Sequence, residues 1–534
     1  MDVLELIDSH EGLTFEAKEA VGGFPQSLWE TYSAFANTVG GTIVLGLREE
    51  ADDSYTPVGV PAPELLIKEL WDTVNNPRKV SANILAHSNV RTEYLGDAAL
   101  VVIDVPRAPS SMRPIYLDGH VDNAYRRRGE GDYRCTQAQV FAMARDAAPE
   151  GADGTVLEEF GLDALATESI ASYRRLLELE HPDHPWLAMD SGELLLRLGA
   201  AGYVPGDATL HPTRAGLLMF GYEFQIVRAF PSYFLDYREL GAEPVAEQRW
   251  VDRIMSSSGE WTGNILEFWS RVNARLSMLL KRPFCMGEGN VRRDDTPMHA
   301  AMREALTNCL VHADYFGECG VAIVANPERV SFRNPGLMRI APELALQGGA
   351  SEARNKRIMT MFSLIGRGER AGSGFDTMRR GCAWAGLDEP LLHENVDPDC
   401  VKLVFDLRQH VSEHARFERG YHVARFRRDD FDSDVVGAHG QVVRHAFGSF
   451  EPYGAPRRYT ATLQASDPWD SLTPQEYQIA VFAQEYRRVQ RKDVERELGV
   501  GRSRAGEVLA TLVSQGILEP VGAGRGRFYR PVPA

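Results

Sequence analysis

Cysteine is scarce. The six, at positions 135, 285, 309, 319, 382 and 400 of 534 residues, form no C-x-x-C pair, so neither a disulfide framework nor a zinc finger is expected and a reducing, cytoplasmic setting fits. Long apolar runs are lacking too: Ala98–Ile103 and Ile43–Leu45 fall far below the roughly 18 residues that a membrane span needs. The opening Met1-Asp2-Val3-Leu4-Glu5 is acidic where a secretory leader is basic. No G-x-x-x-x-G-K-[S/T] string occurs, which removes the P-loop as a route to nucleotide binding. Positive charge is short overall, 58 Lys and Arg against 75 Asp and Glu for a net of −17, and this disfavours bulk attraction to nucleic acid. What remains is an ordinary globular composition, 44% apolar and 25% charged. At roughly 100–200 residues per domain the length predicts about three to five domains.

The pattern along the chain predicts α/β and α+β units. Gln26 to Val39 carries Leu28, Trp29, Tyr32, Phe35, Ala36 and Val39 on one helical stripe, ended by Gly40-Gly41. Thr42–Leu47 and Ala98–Val105 read as buried strands, the second closed by Pro106. Small and acidic residues from Ala147 to Gly154 mark a boundary. A helix is expected near Pro297–His312, a strand at Val321–Val324, and a Gly-rich region from Gly348 to Gly374. We therefore expect domains at 1–146, 166–407 and 471–534, joined by a linker at 147–165 and an irregular connector at 408–470. The connector holds five of the fourteen histidines (410, 414, 422, 439 and 445), without the compact spacing of a metal site.

Glu11, Glu16 and Lys18 lie close in sequence, and the following helix and strand deliver Glu49. Three converging carboxylates would hold Mg²⁺ or Mn²⁺, with Lys18 steadying a phosphate, whereas dispersed they are solvated surface acids. Phe15-Glu16-Ala17-Lys18 followed by Ser33-Ala34-Phe35-Ala36-Asn37-Thr38-Val39-Gly40-Gly41 resembles the Schlafen AlbA domain over residues 1–146. The resemblance implies nucleic-acid binding, and in animal members three acids cleave tRNA or rRNA. It would make Glu11, Glu16 and Glu49 both the metal ligands and, with Lys18, the catalytic residues, while Arg48 stands where the family has a further acid. Arg126 and Arg128 share a strand face beside Tyr125 and Tyr133; they would either meet phosphates of DNA or RNA or pair with nearby acids.

Glu304, Asn308 and His312 stand four residues apart, hence on one helix face. An asparagine completing a Mg²⁺ shell and a glutamate orienting water are parts that phosphoryl chemistry uses; otherwise the face meets solvent. Arg303–Asn308, Val330–Gly336, Ser351–Lys356 and Gly366–Phe375 together resemble the ATP-binding domain of the GHKL superfamily, an α/β sandwich, over about residues 160–407. The resemblance implies ATP with Mg²⁺ on Glu304, Asn308, Asn334, Gly336, Gly372 and Gly374, Asn308 being the metal-side residue and Asn334 occupying the family's adenine-reading acidic position.

From Leu472 onward ten Arg and Lys face seven Asp and Glu, a local excess of +3. Helix, Gly-containing turn and helix over Arg491–Leu512, then glycines and arginines to Arg530, resemble a winged helix-turn-helix, which implies DNA contact through Arg502, Ser503, Arg504, Arg525 and Arg527 and assembly as a symmetric homo-oligomer. Two functions remain open on this reading. One is a nucleotide-responsive nucleic-acid-binding protein, a transcriptional regulator or defence-associated factor; the other is a metal-dependent endoribonuclease of antiviral defence. Weak ATPase turnover is compatible with either.

Overall fold

A computed structural model describes residues 12–25, 27–50, 54–149, 151–241, 250–280, 295–368 and 372–408, and toward the C-terminus 479, 483, 489–498, 502–514, 517–521 and 528–531. The protein is a mixed α/β multidomain chain that divides into two compact units, residues 1–419 with 434–446, and residues 420–433 with 447–534. Among the described residues no helix is long and apolar enough to cross a membrane.

The first domain has β1 (Phe15–Lys18), the helix Leu28–Asn37, β2 (Gly41–Leu45), β3 (Leu47–Glu49), β4 (Tyr55–Pro57), β5 (Val90–Leu95), β6 (Ala98–Val105) and the hairpin β7 (Tyr125–Arg128) and β8 (Gly131–Arg134). Four strands form one sheet in the order β1-β2-β6-β5, with β1 parallel to β2 and the other pairs antiparallel. The expected single strand 42–47 is two strands, because Gly46 turns at φ +98° against Leu100 and Gly59 and redirects the chain into β3. Gly41 has an equally local cause: a Cβ there would stand 2.7 Å from the Phe35 ring.

The Ser33–Gly41 string is a stitching device. Asn37 donates to the carbonyls of Ile115 (2.8 Å) and Tyr125 (3.0 Å) and accepts from the Ile115 amide (2.7 Å). Ser33 donates to Ile115 O and accepts from the Tyr125 amide, and Thr38 accepts from the Arg127 amide. Polar side chains on a buried helix face thus hold the hairpin edge that no sheet covers.

The second domain carries β9 (Ala201–Tyr203) paired to β10 (Leu210–Pro212), then β11 (Leu235–Glu239), β12 (Asp252–Met255), β13 (Val321–Asn326), β14 (Arg329–Pro335), β15 (Leu391–Val396) and β16 (Asp399–Asp406). The last six form one sheet in the order β12-β11-β13-β14-β16-β15. Against it lie the helices Ile265–Leu279, Pro297–His312 and Gly374–Ala385, within one large apolar cluster. The last two cross closely at Gly381, where a Cβ would meet that of Ala301 at 2.5 Å. The acidic run after residue 147 is docked: Asp153 accepts from the amides of Arg357 and Ile358 (both 2.9 Å) at the start of the helix Lys356–Leu364, and burial pushes its carboxyl up to about 6.

In the other unit the helices Arg491–Leu498 and Arg502–Ser514 precede the antiparallel pair β17 (Leu518–Val521) and β18 (Phe528–Pro531), over an apolar cluster that includes Val508 and Leu512.

Replacing Asn37 by Ala removes its three hydrogen bonds to backbone groups, and one to Ser33, and strands buried backbone groups. We expect a loss of about 2–4 kcal/mol, read as a lower urea midpoint. A change below about 0.5 kcal/mol would show that the hairpin is held by packing alone.

Candidate functional site

The helix Pro297–His312 begins with Thr296 as N-cap and Pro297 in its first turn, a strong start signal. Its other end is held by the Ser351–Lys356 string. Asn355 donates to the carbonyls of Val311 (3.0 Å) and Ala313 (2.8 Å), while the buried Arg354 donates to His312 O and Leu337 O and forks onto Asp146 (2.8 and 3.0 Å). A guanidinium at a helix C-terminus satisfies free carbonyls and opposes the dipole's negative end.

So anchored, the helix lines one wall of a cleft of about 130 Å³, the scale of a single nucleobase, open to one side. Glu304, Asn308, Asn334, Gly372 and Gly374 all line it, although they come from three separate stretches of sequence. Asn308 donates to Glu304 (3.1 Å). Gly374 lies so close that a Cβ there would stand 2.6 Å from Glu304 Oε1 and 2.9 Å from Asn308 Nδ2; Gly372 turns at φ +70° against the Ala350 amide. Gly336, the sixth expected residue, does not line the cleft. It turns at φ +88° and makes room for Arg354, whose Nη1 would lie 2.8 Å from a Cβ. His312 sits at the base, its imidazole lowered to about 4 by burial and by Arg354 and Arg339, so it is neutral at physiological pH.

Sequence reasoning missed Arg339, Glu352 and Ser110. Arg339 lines the cleft with Glu352, bonds that carboxylate at 2.6 Å and reaches Ser110 of the first domain at 3.0 Å. Among the described residues its remaining Nε and Nη1, both buried, have no hydrogen-bond partner. No local signal marks Arg339 as distinct from other arginines, because its partners are more than two hundred residues away in the first domain and 13 residues on in the second.

Of the three N-terminal acids, Glu16 and Glu49 are among the described residues. Glu11 lies outside the described residues. Glu16 is buried, with Lys18 Nζ at 2.6 Å on one oxygen and Arg127 Nη2 at 2.6 Å near the other. Arg127, 1% exposed, also pairs with Asp132 and donates to Gly12 O and Phe15 O. Glu49 is exposed at the end of β3, and Arg48 turns away from it to fork onto Glu19 (2.9 and 3.1 Å), holding that carboxyl below its usual range. Among the described residues no group of three acidic, histidine or cysteine side chains is placed to hold a metal ion.

Arg126 and Arg128 are committed to acids of the second domain. Arg126, 8% exposed at its side chain, makes a two-pronged contact with Asp399 (2.7 Å each), and Arg128 meets Asp397 at 3.3 Å. Arg107 and Glu394 form a buried pair at 2.6 Å, each 4% exposed, and Arg145 reaches Asp314 at 3.3 Å. The surplus acid read from composition is thus partly spent on the domain seam, and the pairing with nearby acids is the arrangement found. In the C-terminal unit Arg502 is exposed at the first position of its helix; the side chains of Ser503 and Arg504, and all of Arg525 and Arg527, lie outside the described residues.

Residues 11–136 match the family model described as Schlafen, AlbA_2. The first domain is AlbA-like. Residues 318–403 match the model for the C-terminal part of the ATP-dependent DNA helicase RecG, an ATPase-type domain, and residues 141–236 match a domain of unknown function. The chain thus carries an AlbA-like domain and an ATPase-type domain, and the helix bearing Glu304 and Asn308 precedes the second match. No curated protein matches. Among solved structures, one from Corynebacterium diphtheriae is 16% identical over 97% of this chain and 92% of its own, with a TM-score of 0.38. The N-terminal domain of a RecG-related protein from Nitrosomonas europaea is 29% identical over 26% of this chain and 94% of its own, with a TM-score of 0.20.

If Arg126 is a clamp between domains, Arg126→Ala lowers stability by about 1–3 kcal/mol, less than for a fully buried pair because Asp399 is partly exposed, and leaves nucleic-acid affinity and its salt slope unchanged. Weaker nucleic-acid binding at unchanged stability would return the arginine to the binding surface.

Proposed function

We propose that the protein is a nucleotide-responsive nucleic-acid-binding protein, a transcriptional regulator or defence-associated factor, which takes Mg²⁺-ATP in the cleft of its second domain. One observation carries this reading: five residues expected to bind the cofactor, drawn from three separate strings, line a single cleft. Their chemistry fits the group. Asn308 would complete the shell of a phosphate-bound Mg²⁺, Glu304 would orient water, and the close backbone at Gly372 and Gly374 leaves amides free to approach phosphates. ATP brings the phosphoryl chemistry; the chain's own part is to bind, orient and exclude solvent. A GHKL-type sandwich is the fold we assign to this domain.

The AlbA-like and RecG-type family matches support association with nucleic acid. We assign the C-terminal helix pair and hairpin to a winged helix-turn-helix that contacts DNA as part of a symmetric homo-oligomer, with Arg502 at the helix N-terminus where such proteins meet phosphates. The endoribonuclease alternative gains no support at Glu16, whose carboxylate is held by two cations.

In titration calorimetry Asn308→Ala should weaken Mg²⁺-ATP binding by at least about tenfold while the circular dichroism spectrum is kept, since alanine suits a helix. Equal affinity in wild type and variant would remove the metal-side role. Arg502→Ala and Arg504→Ala should each reduce the slope of log K against log salt for DNA by about one. An unchanged slope would make the C-terminal unit a surface for something other than DNA.

A further inference from the structure

The sheet side of the cleft is apolar, with Phe332, Leu392, Val401 and Leu403 on β14, β15 and β16, and Phe375 of the helix Gly374–Ala385 also lines it; such a lining suits a flat ring. Asn334 sits on this side, in β14 opposite Val401 of β16, 6% exposed. Among the described residues its side chain makes no hydrogen bond, and its Nδ2 is sealed from solvent without a partner. A buried amide left unpaired is costly, and a half-turn about its last torsion would bring the unpaired nitrogen to the cleft, where a bound edge supplies its partner.

A carboxylate at this position would only accept, whereas a carboxamide both donates and accepts. Adenine presents an amino donor beside a ring-nitrogen acceptor. Guanine presents a carbonyl acceptor beside a ring N–H donor. The two patterns are mirror images, and a half-turn of the amide about its last torsion exchanges one for the other. No hydrogen bond from the described residues fixes that torsion.

We propose that Asn334 reads the purine edge in either orientation, so that the cleft takes guanine as well as adenine nucleotides. The inference rests on the reading of the cleft as a nucleotide site. It assigns Asn334 as the residue that sets base choice, acting by direct contact with the base.

The test titrates the full-length protein with non-hydrolysable analogues of ATP and of GTP, each with Mg²⁺, in wild type and in Asn334→Asp. Wild type should bind the two within about tenfold of each other, and Asn334→Asp should weaken the guanine analogue by at least about tenfold more than the adenine one, because a carboxylate faces the guanine carbonyl without a donor. A wild-type preference for either purine beyond about a hundredfold overturns the inference and leaves the nucleotide reading standing. Binding of neither analogue overturns both. Should Asn334→Asp lose its native circular dichroism, Asn334→Ala replaces it: equal weakening of both purines supports the inference, and a loss confined to one overturns it.

Discussion

Arg354 is the group on which the arrangement turns. Its guanidinium, buried at the end of the helix that carries Glu304 and Asn308, ties that helix to the loop after β14 through Leu337 O and to the first domain through Asp146. An arginine has five N–H donors in a rigid plane and is charged at any accessible pH, so it can satisfy three backbone and side-chain partners at once where a lysine could not hold them in one geometry. Removing water from such a cation is expensive, and only the bidentate carboxylate together with the carbonyl acceptors offsets that cost. Gly336 follows from the same constraint, because any side chain there would occupy the guanidinium's place.

The seam between the first two domains repeats this chemistry with the acids supplied by the second domain in most pairs. Arg107, Arg126, Arg128 and Arg145 reach Glu394, Asp399, Asp397 and Asp314. Asp146 and Arg354 reverse the direction. Polar seams of this kind fix register, since each fork fits one carboxylate geometry, and they contribute less net stability than their number suggests. Arg339 joins the seam to the cleft: one nitrogen holds both Glu352 and Ser110, and among the described residues the other two have no hydrogen-bond partner.

Much of this was legible locally. The helix before Gly40-Gly41, the strand Ala98–Val105 and the helix Pro297–His312 all follow from apolar spacing, caps and breakers, which act over a few residues. That Glu304, Asn308, Asn334, Gly372 and Gly374 would meet in one place followed from the resemblance of their strings to one family's, and helical spacing alone joined only Glu304 to Asn308. The roles of Arg126 and Arg128 were left open between phosphate and acid, and spacing could not settle them: Asp399 lies 273 residues away in the chain. The Ser33–Gly41 string showed its identity without showing its work, since the backbone partners of Asn37 are at Ile115 and Tyr125, distant in sequence. Gly46 ended a strand expected to continue, because its positive φ answers to Gly59 and Leu100, which are distant in sequence.

The same distinction explains why the two ends of the first domain read so differently in three dimensions. Glu16 looks, in sequence, like a catalytic acid, and Arg127 lies between the two arginines read as a possible phosphate-binding pair. Buried together at 2.6 Å, Glu16 and Arg127 neutralise one another, and Lys18 adds a second positive charge to the same carboxylate. A divalent ion approaching Glu16 would have to displace or tolerate two cations already in contact with it, and Coulomb repulsion in a partly buried site is not screened as it is at the surface. Arg48, by contrast, is exposed and neutralised by Glu19, so its charge bears little on Glu49. The cations in contact with Glu16 are Lys18 of β1 and Arg127 of β7, whereas Arg48 pairs with Glu19.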